Sequence, residues 1–127
     1  MAETTLNDLL PNGALELIEL IGEGNTLALV KEFGGLPVYI PGKAHDTHHL
    51  CDIVTVDALK KLVAQYGGTK LNVPRCPKLN HLLIIKMHDR DGLSFAKIAK
   101  ALNYTKSWVE MVYYQHRSNN DTQHTLF

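Results

Sequence analysis

The sequence predicts a mainly α-helical protein: two tandem helix–Gly-Gly–strand units forming a small two-stranded ribbon, then a C-terminal helix-turn-helix. A phrase that recurs is the first ground for this: EFGGLPVYIPGKAHDTHHL at 32–50 is answered 33 positions later by QYGGTKLNVPRCPKLNHLL at 65–83. The strand-forming runs inside that phrase are short, whereas helical apolar spacing fills most of the remaining chain. FAKIAKALNYTKSWVEMVYY, residues 95–114, then has the residue types that two closely crossing helices demand at each point.

Taken in order, Thr5–Leu10 reads as a short helical turn stopped by Pro11–Gly13. Ala14–Ile21 is apolar at 14, 15, 17, 18, 20 and 21, the pattern of a largely buried helix. After the break at Gly22–Gly24, Asn25 is expected to cap a helix over Thr26–Phe33, which Gly34–Gly35 terminate. Leu36–Pro41 reads as a strand, with β-branched and aromatic residues closed by a proline that cannot donate to a ladder. The pattern then returns: a helix from Thr55 or Val56 to Tyr66, a stop at Gly67–Gly68, and a strand over Thr69–Pro74. Pro77 opens a further helix to about His88, with Leu79, Leu82, Leu83 and Met87 on one face. Asp89–Gly92 is a turn, and helices over Ser94–Leu102 and Lys106–His116 follow. The expected domains are an N-terminal repeat and dimerisation region at 1–76, the helix-turn-helix at 77–117, and a polar, flexible tail at 118–127.

With residues 29–50 laid over 62–83, seven of 22 columns are identical, where ordinary composition gives about one or two by chance. An isolated short strand leaves backbone N–H and C=O groups unpaired. The two equivalent strands can therefore pair with each other, or each with its counterpart in a second subunit. In either arrangement Val38, Ile40, Leu71 and Val73 share one face, and Tyr39 and Asn72 the other, polar face, which could enter a nucleic-acid groove.

In the C-terminal stretch Ala99 is small where the second helix crosses the first, and Ile98, Leu102, Tyr104, Val109 and Val112 supply apolar contacts. Asn103 occupies the turn and tolerates a left-handed backbone; Ser94 and Thr105 are natural N-caps. If the motif reads double-stranded DNA, its second helix lies in the major groove and offers Thr105, Lys106, Ser107, Trp108, Glu110, Met111 and Tyr114. Glu110 can accept from a cytosine amino group, Met111 or Trp108 can pack on thymine methyls, and Lys106 can meet guanine or a phosphate. Lys97, Lys100, Arg117, Arg75 and Lys78 are candidates for phosphate contacts, which position the protein without reading sequence.

The zero net charge hides a division: residues 1–69 hold four Lys/Arg against nine Asp/Glu, residues 70–117 nine against three. The basic half coincides with the helix-turn-helix, the distribution expected when one half meets a polyanion. The longest apolar runs are too short to cross a bilayer, and MAETTLNDLL lacks the basic and apolar regions of a secretory signal. Cys51 and Cys76 form no CxxC, so a reduced cytoplasmic setting is the expectation.

The arrangement resembles the Mor family of phage middle-transcription activators. The resemblance is carried by GGLPVYIPGKA at 34–44 and by the Gly-Gly…Val-Pro-Arg…Leu order leading into the helix-turn-helix, and spans roughly 14–117. It implies a homodimer of phage or prophage type with a helical N-terminal domain, an intersubunit β-ribbon, and helix-turn-helix domains on a dyad-symmetric promoter. It also implies recruitment of the host RNA polymerase, and a strand tyrosine and polar residue that approach the minor groove. Tyr39 matches that tyrosine, but Pro37 stands where the polar residue is expected; the second copy has Lys70 and Asn72 at the corresponding positions and no tyrosine.

HDTHHLCD, residues 45–52, is the rival feature: His45, His48, His49, Cys51 and Asp52 are metal-ligand types. The second copy keeps only His81 opposite His48, and neither HExxH nor a paired-cysteine spacing occurs. His48 and His81 are expected to make equivalent polar contacts. The sequence thus predicts a transcription regulator, an activator by resemblance, with no catalytic residue, cofactor or membrane partner. A repressor with the same DNA-binding parts and a protein-interaction module are the alternatives.

Overall fold

The computed structural model describes residues 10–125, so most of the turn expected at Thr5–Leu10 lies outside the described residues. The protein is mainly helical with one small two-stranded antiparallel sheet. The chain divides into two compact units, one ending at Leu79 and the other beginning at Asn80.

In the N-terminal unit α1 spans Asn12–Ile21, α2 Glu23–Phe33 and β1 Pro37–Tyr39; a 3-10 turn over His49–Asp52 leads to α3, Val56–Tyr66, and β2, Lys70–Asn72. Helix α1 packs against both α2 and α3, burying Ala14, Leu17 and Ile21. Helix α2 begins two residues before Asn25, so the expected cap is not one. The Asn25 amide instead donates to Ile21 O at 2.9 Å, and its Oδ1 accepts from Thr55 N at 3.1 Å. It ties the start of α2 to the N-cap of α3, where the Thr55 hydroxyl accepts from Ala58 N.

The two strands pair within the chain, whereas the family resemblance implied pairing between subunits. The register is Pro37↔Asn72, Val38↔Leu71 and Tyr39↔Lys70. The central pair is 33 residues apart, the offset of the sequence repeat, so a local two-fold axis passes between Val38 and Leu71. The surrounding hydrogen bonds obey it. Gly35 N donates to Val73 O at 2.9 Å and Gly68 N to Ile40 O at 2.8 Å; Val73 N donates to Leu36 O and Ile40 N to Thr69 O. Gly34 and Gly67 close α2 and α3 by donating to Val30 O and Val63 O, and Gly35 and Gly68 follow with φ +84° and +79°. That left-handed step, costly for any residue with a Cβ, turns each helix into its strand. Val38, Ile40, Leu71 and Val73 are buried as the alternation requires.

The C-terminal unit holds most of α4, Leu79–Ile85, then a π-helical turn over Lys86–Arg90, α5, Phe95–Leu102, and α6, Lys106–Thr125. The regular helix expected to reach His88 stops at Ile85, where the wider turn takes over. Ser94 and Thr105 cap α5 and α6, their hydroxyls accepting from Lys97 N and Trp108 N at 3.2 Å each. Asn103 joins them at φ 63°, ψ 48°. Ile98, Ala99, Leu102, Val109 and Val112 are buried where α5 meets α6, and Tyr104 is half-buried. Helix α6 does not end at His116 but runs on to Thr125, consistent with the lack of glycine or proline in 106–125.

The turn is testable alone. Asn103→Val is expected to cost about 1–2 kcal/mol and Asn103→Gly about nothing, because only the branched side chain resists a left-handed backbone. Trp108 is the sole tryptophan, so denaturant unfolding followed by its fluorescence reports on this unit. Equal losses in the two variants would contradict the assignment.

Candidate nucleic-acid interface

The fifteen residues singled out from the sequence fall on two surfaces, one in each unit. In the N-terminal unit the outer face of the ribbon carries Tyr39 across from Lys70 and Pro37 across from Asn72, all exposed. Tyr39 is 55% exposed, and Leu36, just before β1, equally so. Arg75 lies beside the same ribbon, its Cβ 3.7 Å from the point where a Cβ on Gly35 would sit. Lys78 is exposed two residues after Cys76, whose thiol burial holds above its usual range and so away from the reactive thiolate. The ribbon therefore gathers Tyr39, Lys70, Asn72 and Arg75, a planar aromatic with two cations and an amide.

In the C-terminal unit Lys106, Ser107, Met111 and Tyr114 are exposed along α6, while Trp108 and Glu110 are half-buried. Trp108 packs against Tyr104 with ring centroids 4.4 Å apart and meets the edge of His81 at 5.9 Å. It lines a shallow depression with Asn103, Tyr104 and Thr105. Lys106 reaches Glu110 one turn on, with Nζ 3.4 Å from Oε1. The Thr105 hydroxyl is committed to its cap. Ser107, Met111 and Tyr114 consequently form the open stripe of the helix, at positions i, i+4 and i+7. Lys97 and Lys100 are exposed on α5 and enter no ion pair among the described residues.

A network that periodicity gives no sign of holds α6 in place. Tyr113 is buried and donates to Asp89 Oδ1 at 2.5 Å, while Arg117 Nη1 donates back to the Tyr113 hydroxyl at 3.4 Å. Burial, then the bond to Asp89, raises the Tyr113 phenol above its ordinary range, so it remains the donor. His88 stacks on Phe95 at 4.3 Å and meets Tyr113 edge-on at 4.6 Å. The π-helical turn thereby delivers Asp89 and His88 to α6. Arg117, a candidate for phosphate contact, is exposed yet already engaged with Tyr113. The central pair, Asp89 and Tyr113, stands 24 residues apart in sequence, with nothing local to mark it.

The electrostatics of this unit follow from the same contacts. Each carboxylate among its described residues has a partner: Asp89 has Tyr113, Asp91 has Lys86 at 3.0 Å, and Glu110 has Lys106. Lys97 and Lys100 are exposed amines with no carboxylate paired to them among the described residues.

The histidine-rich segment has a local use. His48 accepts from Leu50 N through Nδ1 at 3.1 Å and caps the 3-10 turn. Burial, followed by the neighbouring His49 and His45, lowers its pKa, which favours the neutral ring that such acceptance needs. His81 lies instead against Trp108, so the two repeat-related histidines sit in different surroundings. Among the described residues no group of three or more His, Cys, Asp and Glu side chains is arranged to hold a metal. Nor is any described helix long and apolar enough to cross a membrane. Comparison of the chain with protein-family models, curated proteins and solved structures gives no match.

Proposed function

We propose that the protein is a sequence-specific DNA-binding transcription regulator. In this reading α5, the Asn103 turn and α6 are a helix-turn-helix, and the N-terminal unit is a tandem duplication that supports it. One observation carries the reading. Two capped helices meet at a left-handed asparagine, and the second presents an open stripe in a unit whose described carboxylates are all internally engaged. Lys106, Ser107, Met111 and Tyr114 would face base edges, while Lys97, Lys100 and Arg117 meet phosphates. Arg75, Lys78 and the outer ribbon face, Tyr39 with Lys70 and Asn72, are a second contact in the same reading. A single such module covers little DNA, so a homodimer on a two-fold site would supply the rest of the affinity. Activation at a phage-type promoter, with RNA polymerase as partner, rests on the resemblance to the Mor family alone; a repressor would use the same parts.

The test is selection of bound sequences from a random DNA pool, followed by titration of the enriched duplex against salt. If about six phosphates are neutralised per subunit, log K falls with log[salt] at a slope near −5 per bound subunit. A two-fold symmetric motif is the expected selection product. The apolar exposure at Leu36, Tyr39, Met111 and Tyr114 favours a second reading, a protein-interaction module. No enrichment and a flat salt response would decide for that module and against DNA.

A further inference from the structure

Resting on the DNA-binding reading, we infer that α6 selects its operator through the C5 methyl groups of thymine, contacted by Met111 and Tyr114. Both side chains stand on the open stripe, 46% and 58% exposed. The Tyr114 ring is braced against Phe95 and Tyr113, with centroids 5.8 and 5.4 Å away, so it is held outward instead of folding onto the helix. Trp108, the other large side chain at this end, is committed to Tyr104 and His81 and is only half exposed. The stripe contains no arginine, and the lysine at its head is held to Glu110. The commonest guanine-reading chemistry, a cation bridging O6 and N7, is thus missing from its centre.

What remains is a largely apolar surface with two hydroxyls, those of Ser107 and of the Tyr114 phenol. The thymine methyl is the apolar group that base pairs present on the floor of the major groove, so it is the complementary feature. Charge decides for nucleic acid over an apolar protein partner. Lys97 and Lys100 are exposed and outside any ion pair among the described residues, whereas each described carboxylate of this unit has a local partner: Asp91 and Glu110 a lysine, Asp89 the Tyr113 hydroxyl. A duplex brings phosphates for those amines and methyls for the stripe together.

The experiment uses the full chain and the duplex enriched from a random pool, resynthesised with deoxyuracil replacing thymine at single positions and then throughout. Removing one contacted methyl is expected to weaken binding about four-fold, at one or two thymines in each half-site. Met111→Ser should abolish the uracil penalty at one of these positions and Tyr114→Ser at the other, each leaving the salt slope unchanged. Full affinity on the all-uracil duplex overturns the inference while leaving the DNA-binding reading standing. Failure to enrich any sequence removes both. Dimerisation without DNA that Met111→Ser and Tyr114→Ser abolish would put the stripe at a subunit interface, and would also overturn the inference.

Discussion

Gly34→Ala and Gly67→Ala are each expected to destabilise the N-terminal unit by about 2 kcal/mol or more. A Cβ at residue 34 would lie 2.6 Å from Val30 O and 3.4 Å from Pro74 O; at residue 67 it would lie 2.5 Å from Val63 O and 3.3 Å from Pro41 O. All four obstacles are backbone oxygens, which no rotamer change can move. Val30 O and Val63 O also accept the hydrogen bonds that end α2 and α3, so retreat of either carbonyl costs its cap. The next glycine offers a graded control. Gly68 has φ +79° and nothing within 4 Å of an added Cβ, so Gly68→Ala meets only backbone strain of about 1–2 kcal/mol. Gly42 has neither obstacle nor left-handed backbone, and Gly42→Ala should be near neutral. Thermal unfolding by circular dichroism, with amide exchange at Gly35 and Gly68, reads the order 34 ≈ 67 > 68 > 42. The account fails if Gly67→Ala is no worse than Gly42→Ala.

That the two expected losses are equal follows from the repeat. The 33-residue offset already said that whatever Gly34–Gly35 does, Gly67–Gly68 does too. Alternation placed Val38 and Leu71 inside and Tyr39 and Asn72 outside, since a strand has only two faces. The choice between pairing within and between subunits was not legible. The same short strands satisfy either, and the decision belongs to the tight helix-to-strand turns and to α1, which packs on both α2 and α3.

The C-terminal helices were legible for a related reason. Ser94, Ala99, Asn103 and Thr105 are local demands of capping, crossing and turning, so they show in the order of residues. The latch from Asp89 to Tyr113 spans 24 residues and carries no periodic mark, although Arg117 follows Tyr113 by one helical turn. The role of Asn25 is not legible because asparagine suits a helix start anywhere, while its actual partner, Thr55, stands 30 residues away. The polar composition beyond His116 is no stop signal for α6, which continues to Thr125. Polarity weakens burial, but only glycine, proline or a competing cap terminates a helix outright.

Replacing Lys106 and Ser107 together by alanine is expected to cut the ratio of specific to non-specific DNA binding by roughly 10- to 100-fold, the loss of one or two base contacts. Both side chains are exposed and alanine favours the helix, so the fold should persist. Thr105 is the wrong residue to change for this purpose, because its hydroxyl caps α6 and its loss would blur reading with fraying. Removing Lys106 also strips Glu110 of its 3.4 Å partner, leaving a half-buried carboxylate at the leading end of the helix. Repulsion from the duplex should then lower total affinity as well, and Glu110→Gln added to the double variant should restore that part but not the preference. Lys97→Ala with Lys100→Ala should act in the opposite sense, weakening all duplexes alike and reducing the salt slope by about 2. If the Lys106 and Ser107 replacements leave sequence preference intact, recognition does not lie at the head of α6, and Met111 with Tyr114, then the outer face of the ribbon, become the surfaces to test.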